Sequence, residues 1–189
     1  MTRIIGGIAG SLRLGSPAKA TRPTSDRIRE SIFSRLEARD LIDGASVLDL
    51  YAGTGALGLE AASRGSSNIV LIDKDGKAAA VCKANGLLVQ KALNKDGVEV
   101  SIRVTAQAAT AFLAAPTAKF DLVFIDPPYE VDNAEVVANL EALTRALEAE
   151  ATVVVERSSR GEKLSVPSAY ELEEIKNYGD TDVYWLSAK

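Results

Sequence analysis

The chain has 189 residues, of which 47% are hydrophobic and 25% charged, and it carries a net charge of −4. This balance is typical of one globular domain in water, and no apolar run approaches the roughly 20 residues that span a bilayer. The absence of histidine and the single Cys82 exclude histidine-based catalysis, a cysteine-cluster zinc site and an internal disulfide. We therefore expect a cytoplasmic protein that binds no metal and crosses no membrane.

A basic segment opens the chain. Residues 1–39 contain eight basic and three acidic side chains, which gives this segment a charge of +5 and leaves −9 for the rest. Apolar stretches at residues 3–5 and 12–14 flank several glycines and predict a small hairpin. A basic arm on an acidic body can meet a phosphate backbone, but a solvated helix face with a mobile arm explains the charges equally well.

A helix is predicted after this hairpin, with Thr24 or Ser25 as its N-terminal cap. Its apolar side chains recur with helical spacing and are expected to be buried, whereas its arginines fall elsewhere and remain available. The expected buried residues are Ile28, Ile32, Phe33 and Leu36, and the available ones are Arg27, Arg29 and Arg35.

Strand-like and helix-like segments alternate from residue 46 onward, which predicts a mainly parallel sheet with helices on both faces. Residues 170–176 and 182–186 then predict an antiparallel hairpin, because their connection is too short for a crossover. A parallel sheet with such a hairpin is a feature of the doubly wound, Rossmann-like class I methyltransferases that use S-adenosylmethionine. Strands are expected at 46–51, 68–73, 98–104, 120–125 and 152–156, and helices at 56–64, 75–93, 106–115 and 133–148.

A glycine-rich loop connects the first strand to its helix. Gly53-Thr54-Gly55-Ala56-Leu57-Gly58 matches the G-x-G-x-x-G pattern, in which glycines allow a tight turn and a close approach of the backbone to a ligand. Asp73 ends the second strand, where a carboxylate can accept hydrogen bonds from both ribose hydroxyls. Cys82 is expected to be a small buried residue, far from these motifs.

Asp49 bears on which cofactor this loop binds. A dinucleotide would bring a pyrophosphate anion near this carboxylate, which would repel it. S-adenosylmethionine brings a sulfonium and an ammonium, which a carboxylate attracts. The residues therefore favour S-adenosylmethionine, while NAD stays open as an alternative.

Asp126-Pro127-Pro128-Tyr129 follows the fourth predicted strand, at the edge where open α/β sheets bind ligands. Asp126 and the Pro127 carbonyl can each accept a hydrogen bond from an exocyclic amine. Neither proline has an N–H and both have a fixed φ angle, so the loop is stiff and presents only acceptors. Tyr129 can stack on a flat ring. The segment also fits an ordinary end of a strand, but with the glycine loop and Asp73 in order it favours an amine methyltransferase. These residues leave open whether the amine belongs to guanine or adenine.

Taken in order, these motifs resemble the RsmD family of 16S rRNA guanine-N2 methyltransferases. The resemblance rests on residues 49–58, 126–129 and 178–181, and on the N-terminal stretches 3–7 and 21–30, and it covers nearly the whole chain. It implies a single methyltransferase domain over residues 1–189, with an N-terminal extension at 1–40 and a catalytic core at 41–189. It also implies action on 16S rRNA, within a small ribosomal subunit or an assembly particle. The sequence does not give the oligomeric state, and we expect a monomer.

The resemblance also implies roles for individual residues. The target guanine would be held by Asp126, Pro127, Pro128 and Tyr129. RNA contact would come from Arg22, Thr24, Arg27 and Arg29. The S-adenosylmethionine cofactor would be bound by Asp49, Tyr51, Ala52, Gly53, Thr54, Gly55, Gly58, Asp73, Lys74, Gln107 and Ala108.

Two positions depart from the family pattern. Relatives usually carry Asp or Asn where Ala108 aligns, so that only Gln107 or backbone groups would remain to hold the adenine amine. Asp73 stands where Glu is commoner, which keeps the carboxylate with a shorter reach.

Three other functions remain open on the sequence alone. The enzyme could methylate the N6 amine of DNA adenine or a protein glutamine, although those enzymes carry a larger recognition domain. The chain could instead be a non-catalytic RNA-binding assembly factor. An NAD-dependent enzyme is the last alternative.

Overall fold

A computed structural model describes residues 2–16, 25–116 and 118–189 of the chain. A seven-stranded sheet forms its centre, in the order β3-β2-β1-β4-β5-β7-β6. The strands are β1 (Ser46–Asp49), β2 (Asn68–Asp73), β3 (Ser101–Ala106), β4 (Phe120–Ile125), β5 (Leu147–Ser158), β6 (Tyr170–Asn177) and β7 (Thr181–Ala188). The helices are α1 (Asp26–Ala38), α2 (Ala56–Ser63), α3 (Gly76–Lys95), α4 (Ala109–Ala114) and α5 (Asn133–Leu143).

The predicted fold class is confirmed by the pairing of the strands. Strands β1 to β5 pair in parallel, and β7 pairs antiparallel with both β5 and β6. Helices α1, α2 and α3 contribute to one apolar cluster, and α4 and α5 contribute to a second. The sheet therefore lies between two helical layers, and both faces of its central strands are buried.

Several predicted boundaries were wrong, among them the start of α4, which lies at Ala109 rather than 106 because β3 continues to Ala106. Helix α5 ends at Leu143 and a 3-10 turn follows, so β5 begins at Leu147 inside the segment predicted to be helical. Pairing of Leu147 with Phe120 and burial of the Leu147 side chain override the helix preference of this stretch, while residues 148–150 stay exposed. Strand β3 begins at Ser101 rather than 98, because the Val98 N–H bonds the Leu93 carbonyl and closes the end of α3.

The N-terminal hairpin packs against α2. Its two arms meet at an antiparallel bridge between Arg3 and Arg13. The buried carboxylate of Glu60 accepts hydrogen bonds from the backbone N–H groups of Ile5 and Gly6, at 2.7 and 2.8 Å. The hairpin is therefore fixed to the helix that follows the glycine loop.

Arg29 corrects one prediction. The apolar residues of α1 are buried as expected, but Arg29 is buried with them instead of facing RNA. Its guanidinium donates to the Arg3 carbonyl at 2.8 Å and to Asp26 at 2.7 Å, and it lies 3.9 Å from Glu60. The hairpin covers this face of α1, so Arg29 joins the hairpin to α1 and is not available to a ligand.

Within the part of the chain that the structure describes, no helix combines the length and apolar character needed to cross a membrane. The same residues contain no group of three or more histidine, cysteine or acidic side chains arranged to hold a metal ion.

Candidate active site

A cavity of about 1350 Å³ opens at the carboxyl ends of β1 and β4. The order of the strands reverses between these two, and open α/β sheets bind ligands at such a switch point. The loops after β1, β2, β3 and β4, the end of β5 and the turn between β6 and β7 all contribute to its wall. Of the residues predicted to bind cofactor or target, the cavity wall includes Asp49, Tyr51, Ala52, Gly53, Thr54, Asp73, Lys74, Ala108 and Asp126–Tyr129.

The glycine loop takes a shape that requires glycine. Gly53 and Gly55 have positive φ angles of 54° and 82°, and Gly55 is the N-cap residue of α2. A Cβ atom on Gly58 would lie 2.3 Å from the Leu71 side chain, so this glycine lets α2 pack tightly on β2. Gly55 and Gly58 do not line the cavity: they shape the loop that brings Gly53 and Thr54 to it.

Asp49 is a buried carboxylate at the end of β1, with 1% of its surface exposed. Its Oδ2 atom accepts a hydrogen bond from the Gly58 N–H at 3.3 Å, and its Oδ1 atom has no hydrogen-bond partner among the described residues. Burial raises the pKa of Asp49 to about 7, and the nearby charges of Asp126 and Asp73 also raise it. A carboxylate in this position would be stabilised by a cationic ligand in the cavity.

Asp73 is held by the loops around it. Its Oδ2 atom accepts from the Gly53 N–H at 2.8 Å, and its Oδ1 atom accepts from the Asp75 N–H at 2.8 Å. Each carboxylate oxygen has a second lone pair, so the same side chain can also accept from hydroxyl groups of a ligand. Asp75 caps α3 through the N–H groups of Lys77 and Ala78, which fixes the start of that helix beside the cavity.

The part of the cavity wall that follows β3 has alanine where relatives usually carry Asp or Asn. Ala108 and Ala109 line the cavity there, whereas Gln107 does not. The Gln107 N–H bonds the Asp73 carbonyl at 3.0 Å and continues the pairing of β3 with β2. Only small side chains and backbone groups therefore face a ligand on this side.

The loop after β4 is braced from two sides. The Val131 N–H donates to the Pro128 carbonyl at 3.0 Å, which closes a turn directly after the two prolines. Arg157, at the end of β5, donates to the Val131 carbonyl at 2.8 Å and to Asn133 at 3.0 Å. Burial lowers the pKa of Arg157, against the effect of nearby negative groups. Tyr129 is 65% exposed at the rim of the cavity, where its ring is open to a flat partner.

Several residues in or near the site were missed by the sequence analysis. Asn85 on α3 donates to the Thr54 carbonyl at 2.9 Å and also bonds both the N–H and the carbonyl of Gly15. It therefore ties the N-terminal segment to the glycine loop. Glu135 and Asn139 on α5 were also missed: Glu135 accepts from the hydroxyl of the predicted residue Tyr51 at 3.2 Å and Asn139 donates to it at 2.7 Å, and burial raises the pKa of Tyr51. No local pattern marks these contacts, because their partners are distant in the sequence.

Cys82 also corrects a prediction. It is fully buried as expected. However, it lies directly beneath the glycine loop, whereas the sequence predicts a position far from the site motifs. A Cβ atom on Gly55 would come within 2.9 Å of the Cys82 sulfur. Burial raises the pKa of the thiol, and the negative charges of Asp49 and Asp73 add to this effect, so Cys82 stays neutral.

The predicted RNA contacts divide into three groups. Arg27 is exposed and lines the cavity. Arg29 is buried, as described above. Arg22 and Thr24 lie outside the described residues.

The order of the strands, the hairpin formed by β6 and β7, and the cavity at the switch point define a class I methyltransferase fold. Among solved structures, yhhF of Escherichia coli superposes with a TM-score of 0.79 at 27% identity, covering 100% of this chain and 98% of the other. A hypothetical protein of Thermus thermophilus superposes with a TM-score of 0.77 at 31% identity, covering 98% of each chain.

Sequence comparison identifies the family. Ribosomal RNA small subunit methyltransferase D of Escherichia coli K12 is 36% identical over 178 residues, which cover 94% of this chain and 85% of the relative. The family model described as conserved hypothetical protein 95 matches residues 2–187. The chain therefore belongs to this family, the RsmD family.

Proposed function

We propose that the protein transfers a methyl group from S-adenosylmethionine to the N2 amine of a guanine in small-subunit rRNA. One observation carries the proposal: Asp49, with an unpartnered buried oxygen, and Asp126-Pro127-Pro128-Tyr129 line the same cavity. The first suits a cationic methyl donor and the second suits a flat amine. The name of the Escherichia coli relative supports rRNA as the substrate.

The residues of the cavity fit the cofactor. Asp49 would accept from the ammonium of its methionine half, and the charge of that ammonium would favour the ionised carboxylate. The Asp73 carboxylate would accept from the ribose hydroxyls, and Gly53 lets the backbone approach the ligand closely. When bound, S-adenosylmethionine supplies an electrophilic methyl group.

The loop after β4 would orient the amine. The guanine N2 lone pair is delocalised into the ring, so the nitrogen attacks well only when it is held with that lone pair directed at the methyl group. Asp126 and the Pro127 carbonyl would each accept one N–H, and the bracing by Arg157 would keep both acceptors in place. The methylated nitrogen is acidic, so a weak base such as the Asp126 carboxylate suffices to take its proton.

Replacement of Asp126 tests this assignment. Asp126→Ala should reduce methyl transfer by at least about 100-fold, because it removes an acceptor that holds the amine, while cofactor affinity changes little. Transfer is measured with labelled cofactor and small ribosomal subunits from cells in which the gene is deleted, and affinity by calorimetry. Asp121→Ala is the control for loss of a carboxylate, because Asp121 is exposed near the start of β4, bonds only the Ser46 N–H among the described residues, at 2.8 Å, and does not line the cavity. Equal transfer by Asp126→Ala and the wild type would contradict the proposed role.

A further inference from the structure

Helix α3 carries an unusual charge for this chain. It contains four lysines and no acidic residue, whereas the protein as a whole has a net charge of −4. The remaining residues therefore sum to −8. None of these lysines forms an ion pair within 4.0 Å with a described residue, and all four are exposed.

The lysines share one face with two exposed leucines. Positions 83, 87, 91 and 95 recur every four residues and so follow one side of the helix. Leu87 and Leu88 are 60% and 47% exposed, which is high for large apolar side chains. We call this surface the α3 outer face and define it by Lys83, Leu87, Leu88, Lys91 and Lys95.

The α3 outer face leads away from the proposed active site. The first turn of α3 lines the cavity through Lys77 and Ala78. The helix runs back along the sheet, and its whole length of 20 residues is about 30 Å. A ligand that follows this face would therefore extend well beyond one nucleotide bound in the cavity.

We propose that the α3 outer face docks on the phosphate backbone of small-subunit rRNA, beside the nucleotide that enters the active site. This inference rests on the proposed function, which requires the acidic protein to approach a polyanion. Lysines spaced along a helix pair well with successive phosphates, since each is a flexible point charge with three donors. Their methylene stems and the two leucines can cover sugar and base surfaces between the phosphates.

Charge reversal on this face tests the inference. Lys83→Glu with Lys91→Glu should weaken binding to small ribosomal subunits by on the order of tenfold at 0.1 M salt. The slope of log affinity against log salt concentration should fall by about 0.7–0.9 for each phosphate that the protein no longer neutralises. Cofactor affinity, measured by calorimetry, should remain at the wild-type value, because neither lysine lines the cavity.

Two exposed lysines at the edge of the sheet opposite the cavity provide a matched control for the change in net charge. Lys119→Glu with Lys189→Glu makes the same change in net charge near the start of β4 and the end of β7, away from the cavity. This variant should keep the wild-type salt slope. Lys83→Gln with Lys91→Gln removes two charges instead of reversing them, so it should reduce the logarithm of subunit affinity by about half as much as the glutamate pair. Such a graded effect is expected for a loss of charge and not for misfolding.

The outcomes separate this inference from the proposed function. Equal affinity and equal salt slope for the α3 pair and the control pair would overturn the docking surface, while wild-type methyl transfer would leave the function intact. If the α3 pair weakened binding to intact subunits but not to protein-free 16S rRNA, the docking surface would also be overturned. The partner of the α3 outer face would then be a ribosomal protein. A wild-type protein that neither binds nor methylates the subunit would refute the proposed function itself.

Discussion

Replacement of Asp49 by asparagine should change stability and cofactor affinity in opposite directions. The pKa of Asp49 is about 7 in the folded protein and about 4 in an unfolded chain, because burial disfavours the charged form. Since the folded pKa is the higher one, the ionised side chain opposes folding as the pH rises from about 4 through 7. Asparagine carries no charge and its oxygen can still accept from the Gly58 N–H.

The magnitude follows from the difference between these two pKa values. Asp49→Asn should raise the free energy of unfolding by on the order of 4 kcal/mol at pH 8 and by less than half as much at pH 5. The same change should raise the dissociation constant for S-adenosylmethionine by about 10- to 150-fold, because it removes a hydrogen bond between charged groups worth about 1.5–3 kcal/mol.

Urea unfolding at both pH values and calorimetry with the cofactor measure the two effects. In the wild type, cofactor affinity should also fall by up to about tenfold for each pH unit below 7, because the Asp49 carboxyl must first lose its proton. Asp49→Asn should lose this part of the pH dependence. A variant that is less stable than the wild type at pH 8, or that binds the cofactor equally well, would refute the reasoning.

Three further changes probe the site. Gly58→Ala should destabilise the protein by about 1–3 kcal/mol in urea unfolding, because the new Cβ would lie 2.3 Å from Leu71; unchanged stability would contradict the tight packing of α2 on β2. Asn85→Ala should weaken cofactor binding several-fold in calorimetry, because it releases the Thr54 carbonyl; wild-type affinity would show that the loop holds its shape alone. Tyr129→Ala should lower methyl transfer by about 10- to 100-fold while Tyr129→Phe retains most of it, since stacking needs only the ring; an equal loss in both would point to the hydroxyl.

The central parts of the fold and the cavity could be predicted because their signals are local. Alternating apolar segments gave the strands and helices, and the glycines, Asp73 and the loop after β4 each follow a strand that ends at the same edge of the sheet. Parallel pairing then brings these loops together without further information.

The errors arise where partners come from distant parts of the chain. Helical spacing gave Arg29 a free face, but the N-terminal hairpin and Glu60 cover that face in the structure. The sequence predicts that Cys82 lies far from the glycine loop, but α3 places its sulfur beneath Gly55. Asn85 gave no signal, because its role depends on two backbone segments that the sequence alone does not bring together.

The identity of the methylated nucleoside tests the central claim most directly. Small ribosomal subunits from cells lacking the gene would be incubated with the purified protein and S-adenosylmethionine, and their 16S rRNA digested and analysed by chromatography with mass spectrometry. We expect one new N2-methylguanosine, present with the wild type and absent with Asp126→Ala. A methyl group on adenine, on a ribosomal protein or on no component of the subunit would contradict the account.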